Sequence, residues 1–123
     1  MSKNVFVFAE QRDGVLQKVG IELLGKANEL AKDLGQEVVA MLLGDNIKGQ
    51  ADVLFHHGAD KVIVVDDPML KEYVTEPYAK AIFQITEKYD PEIVLYGATS
   101  IGRDLAPRLA ARIHTGLTAD CTS

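Results

Sequence analysis

Apolar and polar residues fall along this chain in blocks that switch between two periods. Short, nearly unbroken apolar runs at residues 4–9, 37–43, 61–65 and 93–96 predict strands of the kind a parallel sheet buries on both faces. Longer segments with a helical period lie between them. Leu16, Gly20, Leu23, Ala27, Leu30 and Leu34 line one face of a first helix, and Gly35 ends it as a C-terminal cap. Residues 48–57 predict a short second helix, with Asp45 and Asn46 as N-cap candidates and Gly58 as its stop. Thr75 is placed to cap a third helix with Pro77 in its first turn, and Tyr78, Ile82, Ile85 and Tyr89 share one of its faces. Residues 11–14 read as a turn, residues 68–74 as a loop, Asp66-Asp67-Pro68 as a strand terminator, and Asp90-Pro91 as a helix breaker.

The last third is the most informative. The strand at residues 93–96 is bounded by Pro91 and Gly97, and a glycine-containing polar loop follows from 97 to 102. Proline is tolerated only in a helix's first turn, so Pro107 predicts a fourth helix that begins late, with Asp104 as N-cap, and runs to about His114. Gly116 closes that helix, and residues 117–121 begin a fifth strand. Strands alternating with helices call for an α/β fold, a three-layer αβα arrangement around a mostly parallel sheet. Periodicity does not choose the strand order. In open sheets of this kind, ligands and partners are met at loops between strand ends and helix starts, as the 97–102 loop is.

Composition narrows the function classes without naming one. A chain of 123 residues lies in the single-domain range, and 47% hydrophobic with 25% charged residues is ordinary for a globular protein. The net charge of −5, with no long Lys/Arg cluster, argues against nucleic acid or an anionic membrane as main partner. No apolar run is long enough for a membrane span. A single cysteine, Cys121, excludes an internal disulfide and fits a reducing, cytoplasmic setting. His56, His57 and His114 do not form a metal set; each sits near a helix C-terminus, where a partial positive charge is favourable. No Ser-His-Asp, Cys-His or paired-carboxylate arrangement can be assigned, so catalytic residues are not expected.

The loop itself supports three readings. Its glycines permit tight packing, or its residues meet a partner, or backbone N–H groups at the helix start take a phosphate. The spacing G-x-x-x-x-G lacks the Lys-Ser/Thr of a phosphate-binding loop. Asp104 is explained by capping and by an i, i+4 pair with Arg108. Arg103 opposes the helix dipole, which asks for another reason, such as an acceptor on a partner or cofactor. Arg108 and Arg112 read as a surface or interface stripe. Glu10, just past the first strand, is the best-placed carboxylate for a crevice role, set against the commoner case of a plain surface carboxylate.

The block Gly97-Ala-Thr-Ser-Ile-Gly-Arg-Asp-Leu-Ala-Pro-Arg-Leu-Ala, with Thr115-Gly-Leu-Thr-Ala-Asp-Cys after it, resembles the amino-terminal domain of electron transfer flavoprotein α subunits. The opening Val5-Phe-Val-Phe-Ala-Glu and the Gly58-Ala-Asp-Lys-Val turn resemble that family too. The resemblance implies strand order 3-2-1-4-5, shared with adenine-nucleotide-binding domains of the universal-stress type. The crevice would then lie between residues 9–14 and 97–103. It implies residues 1–123 as one α/β domain at the amino terminus of a longer two-domain subunit, with the chain ending at Ser123 at a domain boundary. In such a family a heterodimer carries FAD between acyl-CoA or other dehydrogenases and an acceptor, in some cases splitting electron pairs from NADH. The chain is then an electron-carrier part and not an enzyme, with FAD bound mainly outside it. Gly97, Ala98, Thr99, Ser100, Gly102 and Arg103 become candidates for the interface with the β subunit, and Thr99 and Arg103 weak candidates for a cofactor contact. The alternative is an independent universal-stress-type domain binding ATP or AMP. That family's glycine-rich phosphate loop near the carboxy terminus has no counterpart after Gly102.

Overall fold

The computed structural model describes residues 4–109 other than Glu92 and Ala98, with the side chains of Gly102 and of 106–109 left aside. Its elements are β1 (Val5–Ala9), β2 (Gln11–Arg12), β3 (Val15–Leu16), α1 (Lys18–Leu34), β4 (Val38–Gly44), α2 (Ala51–His56), β5 (Lys61–Asp66), α3 (Thr75–Tyr89), β6 (Ile93–Leu95) and α4 (Ser100–Leu109). Among the described residues the main sheet has four parallel strands in the order β5-β4-β1-β6. This is the 3-2-1-4 portion of the expected order; the expected fifth strand at 117–121 lies outside the described residues.

Side chains of successive strand residues point to opposite faces, so each apolar run serves two cores. Phe6, Phe8, Val39, Met41 and Leu43 meet Tyr78, Ile82 and Ile85 of α3 and Leu105 of α4. Val5, Val7, Ala9, Val38, Ala40 and Leu42 meet Leu23, Leu24, Ala27 and Ala31 of α1 and Leu54 of α2. Every residue of β1 and β4 is buried, the result of helices covering both faces. Gly35 takes the left-handed conformation at φ 67° and caps α1 as the sequence predicts.

Four expectations are corrected. Leu16 does not open α1: it pairs with Gln11 in an antiparallel hairpin, β2–β3, and α1 begins at Lys18. The Asp13-Gly14 pair turns that hairpin with φ values of 54° and 81°, the positive values that a two-residue hairpin loop demands. Thr75 is not a cap: Val74 holds the N-cap position of α3, and the Thr75 hydroxyl donates across to Asp104 instead. Asp45 and Asn46 do not cap either. The N-cap of the 3-10 turn at Lys48–Gln50 is Ile47, and the Asn46 and Ile47 N–H groups donate to the Asp66 carboxylate. The 68–74 stretch contains a 3-10 turn, Pro68–Leu70, capped by Asp67, which accepts the Met69 N–H.

The fourth helix also departs from the sequence reading. It begins at Ser100, and Thr99 already accepts the Arg103 N–H at 2.8 Å through its carbonyl. Pro107 therefore lies within the helix and not in its first turn, where its missing N–H leaves the Arg103 carbonyl without its intrahelical donor. The irregular connection after β6 is correspondingly shorter than the predicted 97–102 loop.

Candidate functional site

The chain leaves β1 on one side of the sheet and returns through β6 on the other, so strand order reverses between these two strands. Their C-terminal ends bring Glu10 and the 96–100 connection together. Glu10 is 5% exposed, and its carboxylate accepts the Thr99 hydroxyl at 2.5 Å. Its carbonyl accepts the Gln17 N–H at 2.9 Å, which closes the β2–β3 hairpin onto the end of β1. Burial raises the Glu10 pKa above its ordinary value, while the Thr99 hydrogen bond and the Arg12 charge act in the opposite direction.

Gly97 explains how a carboxylate fits there. A Cβ built on it would lie 2.6 Å from Val19 Cγ2 and 3.2 Å from Glu10 Oε2. The absence of a side chain lets β6 turn out of the sheet directly against α1 and Glu10. Gly97 is thus buried packing, and the outward-facing positions are Ser100 and Arg103, both exposed on the first turn of α4. Thr99 is half-buried, Gly102 lies within α4, and Ala98 lies outside the described residues.

A second polar cluster braces the same end. Buried Gln11 donates from Nε2 to the Tyr78 hydroxyl at 2.9 Å and to the Leu70 carbonyl at 3.3 Å, and accepts the Gly14 N–H at 2.9 Å. The Tyr78 hydroxyl donates to the Leu70 carbonyl at 2.6 Å, and burial pushes its pKa up against the opposing Gln11 bond. Asp104 accepts from the Tyr73 hydroxyl and from the Thr75 hydroxyl, the latter at 2.7 Å. Asp104 therefore ties α4 to the start of α3 and does not cap its own helix. The Tyr73 and Tyr78 rings pack edge-on with centroids 5.1 Å apart. Sequence reasoning passed over Gln11 and Tyr73; a polar residue directly after a buried strand and a tyrosine before a helix carry no pattern that marks them.

The other candidates are dispersed. His56 sits at the end of α2, its Nδ1 3.0 Å from the Asp52 carbonyl, and His57 follows as the C-cap residue. No group of metal-ligating side chains occurs among the described residues. His114, Arg112 and Cys121 lie outside them, as does the Arg108 side chain. No described helix is long and apolar enough to cross a membrane.

Among the described residues the crevice holds a buried carboxylate and no glycine-rich phosphate-binding loop. The Glu10 carboxylate sits between the two loops, bonded to Thr99 and close against Gly97, and a cavity of about 250 Å³ opens beside them, lined by Gln11, Arg12, Asp13, Tyr73 and Ile101 among others. A carboxylate at that point repels a pyrophosphate. A cavity of about 400 Å³ lies elsewhere, at the start of the strands, lined by Phe6, Val39, Phe55, Ile63 and Tyr89 among others.

Residues 5–123 match the model of the electron transfer flavoprotein domain. The chain is 56% identical over 121 residues to the electron transfer flavoprotein subunit alpha of Clostridium acetobutylicum, covering 98% of this chain and 36% of that protein. It is 49% identical over 120 residues to the lactate dehydrogenase (NAD(+),ferredoxin) subunit LctC of Acetobacterium woodii, covering 98% of this chain and 29% of that one. The chain thus spans about a third of the length of the curated relatives it matches. A universal stress protein from Archaeoglobus fulgidus, solved with dAMP, superposes with a TM-score of 0.58 at 12% identity, over 95% of this chain and 96% of that one. That likeness is one of fold alone. With the family model matched across nearly its whole length, the chain belongs to the electron transfer flavoprotein domain family.

Proposed function

We propose that residues 1–123 form the amino-terminal α/β domain of an electron transfer flavoprotein α subunit, and that this domain docks the β subunit instead of holding FAD itself. The observation that carries the reading is the tip at the β1/β6 reversal. There Thr99 is held inward by Glu10, while Ser100 and Arg103 face outward on the first turn of α4. A planar guanidinium presented at that edge suits a carboxylate, phosphate or carbonyl acceptor on a partner. The interface would comprise Gly97, Ala98, Thr99, Ser100, Gly102 and Arg103, with Gly97 serving from beneath as packing.

The assembled protein would carry electrons through FAD between acyl-CoA or other dehydrogenases and an acceptor, in the cytoplasm, as a carrier and not an enzyme. The similarity to a subunit whose name pairs NAD(+) with ferredoxin supports a place in a larger dehydrogenase assembly. The crevice supports the placement of FAD mainly outside this chain, because it holds the buried Glu10 carboxylate, whose charge is unfavourable to a phosphate. The direct test is to purify the chain, add FAD and AMP separately, and measure flavin absorbance after gel filtration and calorimetric heat. The expected result is a colourless protein with no saturable heat for either ligand. Stoichiometric retained flavin would overturn the placement of FAD, and saturable AMP binding in the micromolar range would favour a free-standing nucleotide domain.

A further inference from the structure

We propose that Glu10 is a positioning residue for the partner interface, fixing through Thr99 the first turn of α4 that carries Arg103; the proposal rests on the docking reading above. Three contacts form one continuous chain. The Thr99 hydroxyl donates to the Glu10 carboxylate at 2.5 Å, across 89 positions of sequence. The Thr99 carbonyl accepts the Arg103 N–H at 2.8 Å and so sets the first turn of α4. The Glu10 carbonyl accepts the Gln17 N–H at 2.9 Å, which locks the hairpin on the other side of the crevice.

The surroundings leave Glu10 little freedom. It is 5% exposed, and its carboxylate lies close against Gly97, where a Cβ would stand 3.2 Å from Oε2. A hydroxyl bonded to a carboxylate is held more firmly than one bonded to a neutral acceptor. A surface turn held in one conformation before a partner arrives loses less conformational entropy on binding, so the pin raises affinity without touching the partner. Glu10 is too enclosed to serve as a broad contact itself, and its effect passes through Thr99.

The experiment compares variants that remove the bond with variants that keep it. Thr99→Val and Glu10→Met remove it; Thr99→Ser and Glu10→Gln retain a hydroxyl and an acceptor, respectively. Each is titrated with a flavin-loaded β subunit while the flavin spectrum and the heat are recorded, and thermal unfolding of each variant is followed alongside. Losing one charge-assisted hydrogen bond predicts about a tenfold weaker Kd for Thr99→Val, for Glu10→Met and for the double variant alike. Thr99→Ser is expected to stay within about twofold of wild type, and Glu10→Gln, which keeps a neutral acceptor, to fall between wild type and Glu10→Met, the graded rescue that a contact acting through one shared bond requires. Unchanged affinity in Thr99→Val and Glu10→Met, or losses that add in the double variant, would overturn the positioning role while leaving the docking reading intact. Failure of the wild-type chain to bind would instead overturn the docking reading, and the positioning role with it.

Discussion

A single carbon at Gly97 is enough to test how tightly the crevice is built. A Cβ there would stand 2.6 Å from Val19 Cγ2, well inside van der Waals contact, and 3.2 Å from the Glu10 carboxylate. Val19 is β-branched and stiff at its first side-chain torsion, so it yields only at a cost. Gly97→Ala is expected to cost about 1–3 kcal/mol, the range for overpacking a close-fitted site. Urea denaturation measures this, and an unchanged midpoint would contradict the packing described. Glu10 gives a second residue-scale prediction. Its pKa is raised, chiefly by burial, so the folded state favours the protonated form and ionisation costs stability. That cost is absent below the ordinary value of 4.5 and complete above the raised one. Glu10→Gln should therefore gain on wild type as the pH climbs from acid to neutral; parallel stability curves for the two proteins would refute it. The sequence marks Glu10 as the best-placed carboxylate but not its burial, because the contact that encloses it comes from Thr99, 89 positions away.

At the scale of elements, α4 is held by a bond its own sequence does not advertise. Asp104 accepts hydroxyls from Tyr73 and Thr75, which fasten the helix to the start of α3. Hydrogen bonds to a charged acceptor are worth about 1.5–3 kcal/mol, so Asp104→Ala should cost roughly that in stability. Amide exchange should accelerate in α4 and in the first turn of α3 before it does in α1. Uniform acceleration across all helices would contradict a local brace. The strands and most helices were legible in the sequence because continuous apolar runs and the 3.6 period are local signals. The boundaries that failed were set by tertiary contacts. Leu16 fits the period of α1 yet pairs with Gln11 across the Asp13-Gly14 turn. Thr75 and Asp104 both look like caps and instead bond to each other. Pro107 pointed to a late helix start, but the Thr99 carbonyl begins α4 earlier and the helix accepts the proline within it.

For the whole molecule, alternation of strands and helices fixes three layers but permits several strand orders. The observed β5-β4-β1-β6 order was legible only through the family resemblance carried by the 97–110 block and the Val5 strand. That order decides which loops meet, and so makes Glu10 and Thr99 neighbours. The same fold serves a universal stress protein solved with dAMP, which shows that the architecture does not choose the ligand. This chain places a buried carboxylate, Glu10, in the crevice and an exposed arginine, Arg103, on the first turn of α4. In the proposed docking, this end of the domain meets a flavin-carrying partner. The most direct test is a calorimetric titration of the chain with a flavin-loaded β subunit, recording the flavin bands throughout and repeating with Arg103→Ala. Docking at this end predicts saturable one-to-one binding with a shift in the flavin bands, weakened by Arg103→Ala. Absence of binding, or binding indifferent to Arg103 with an unmoved flavin spectrum, would contradict it.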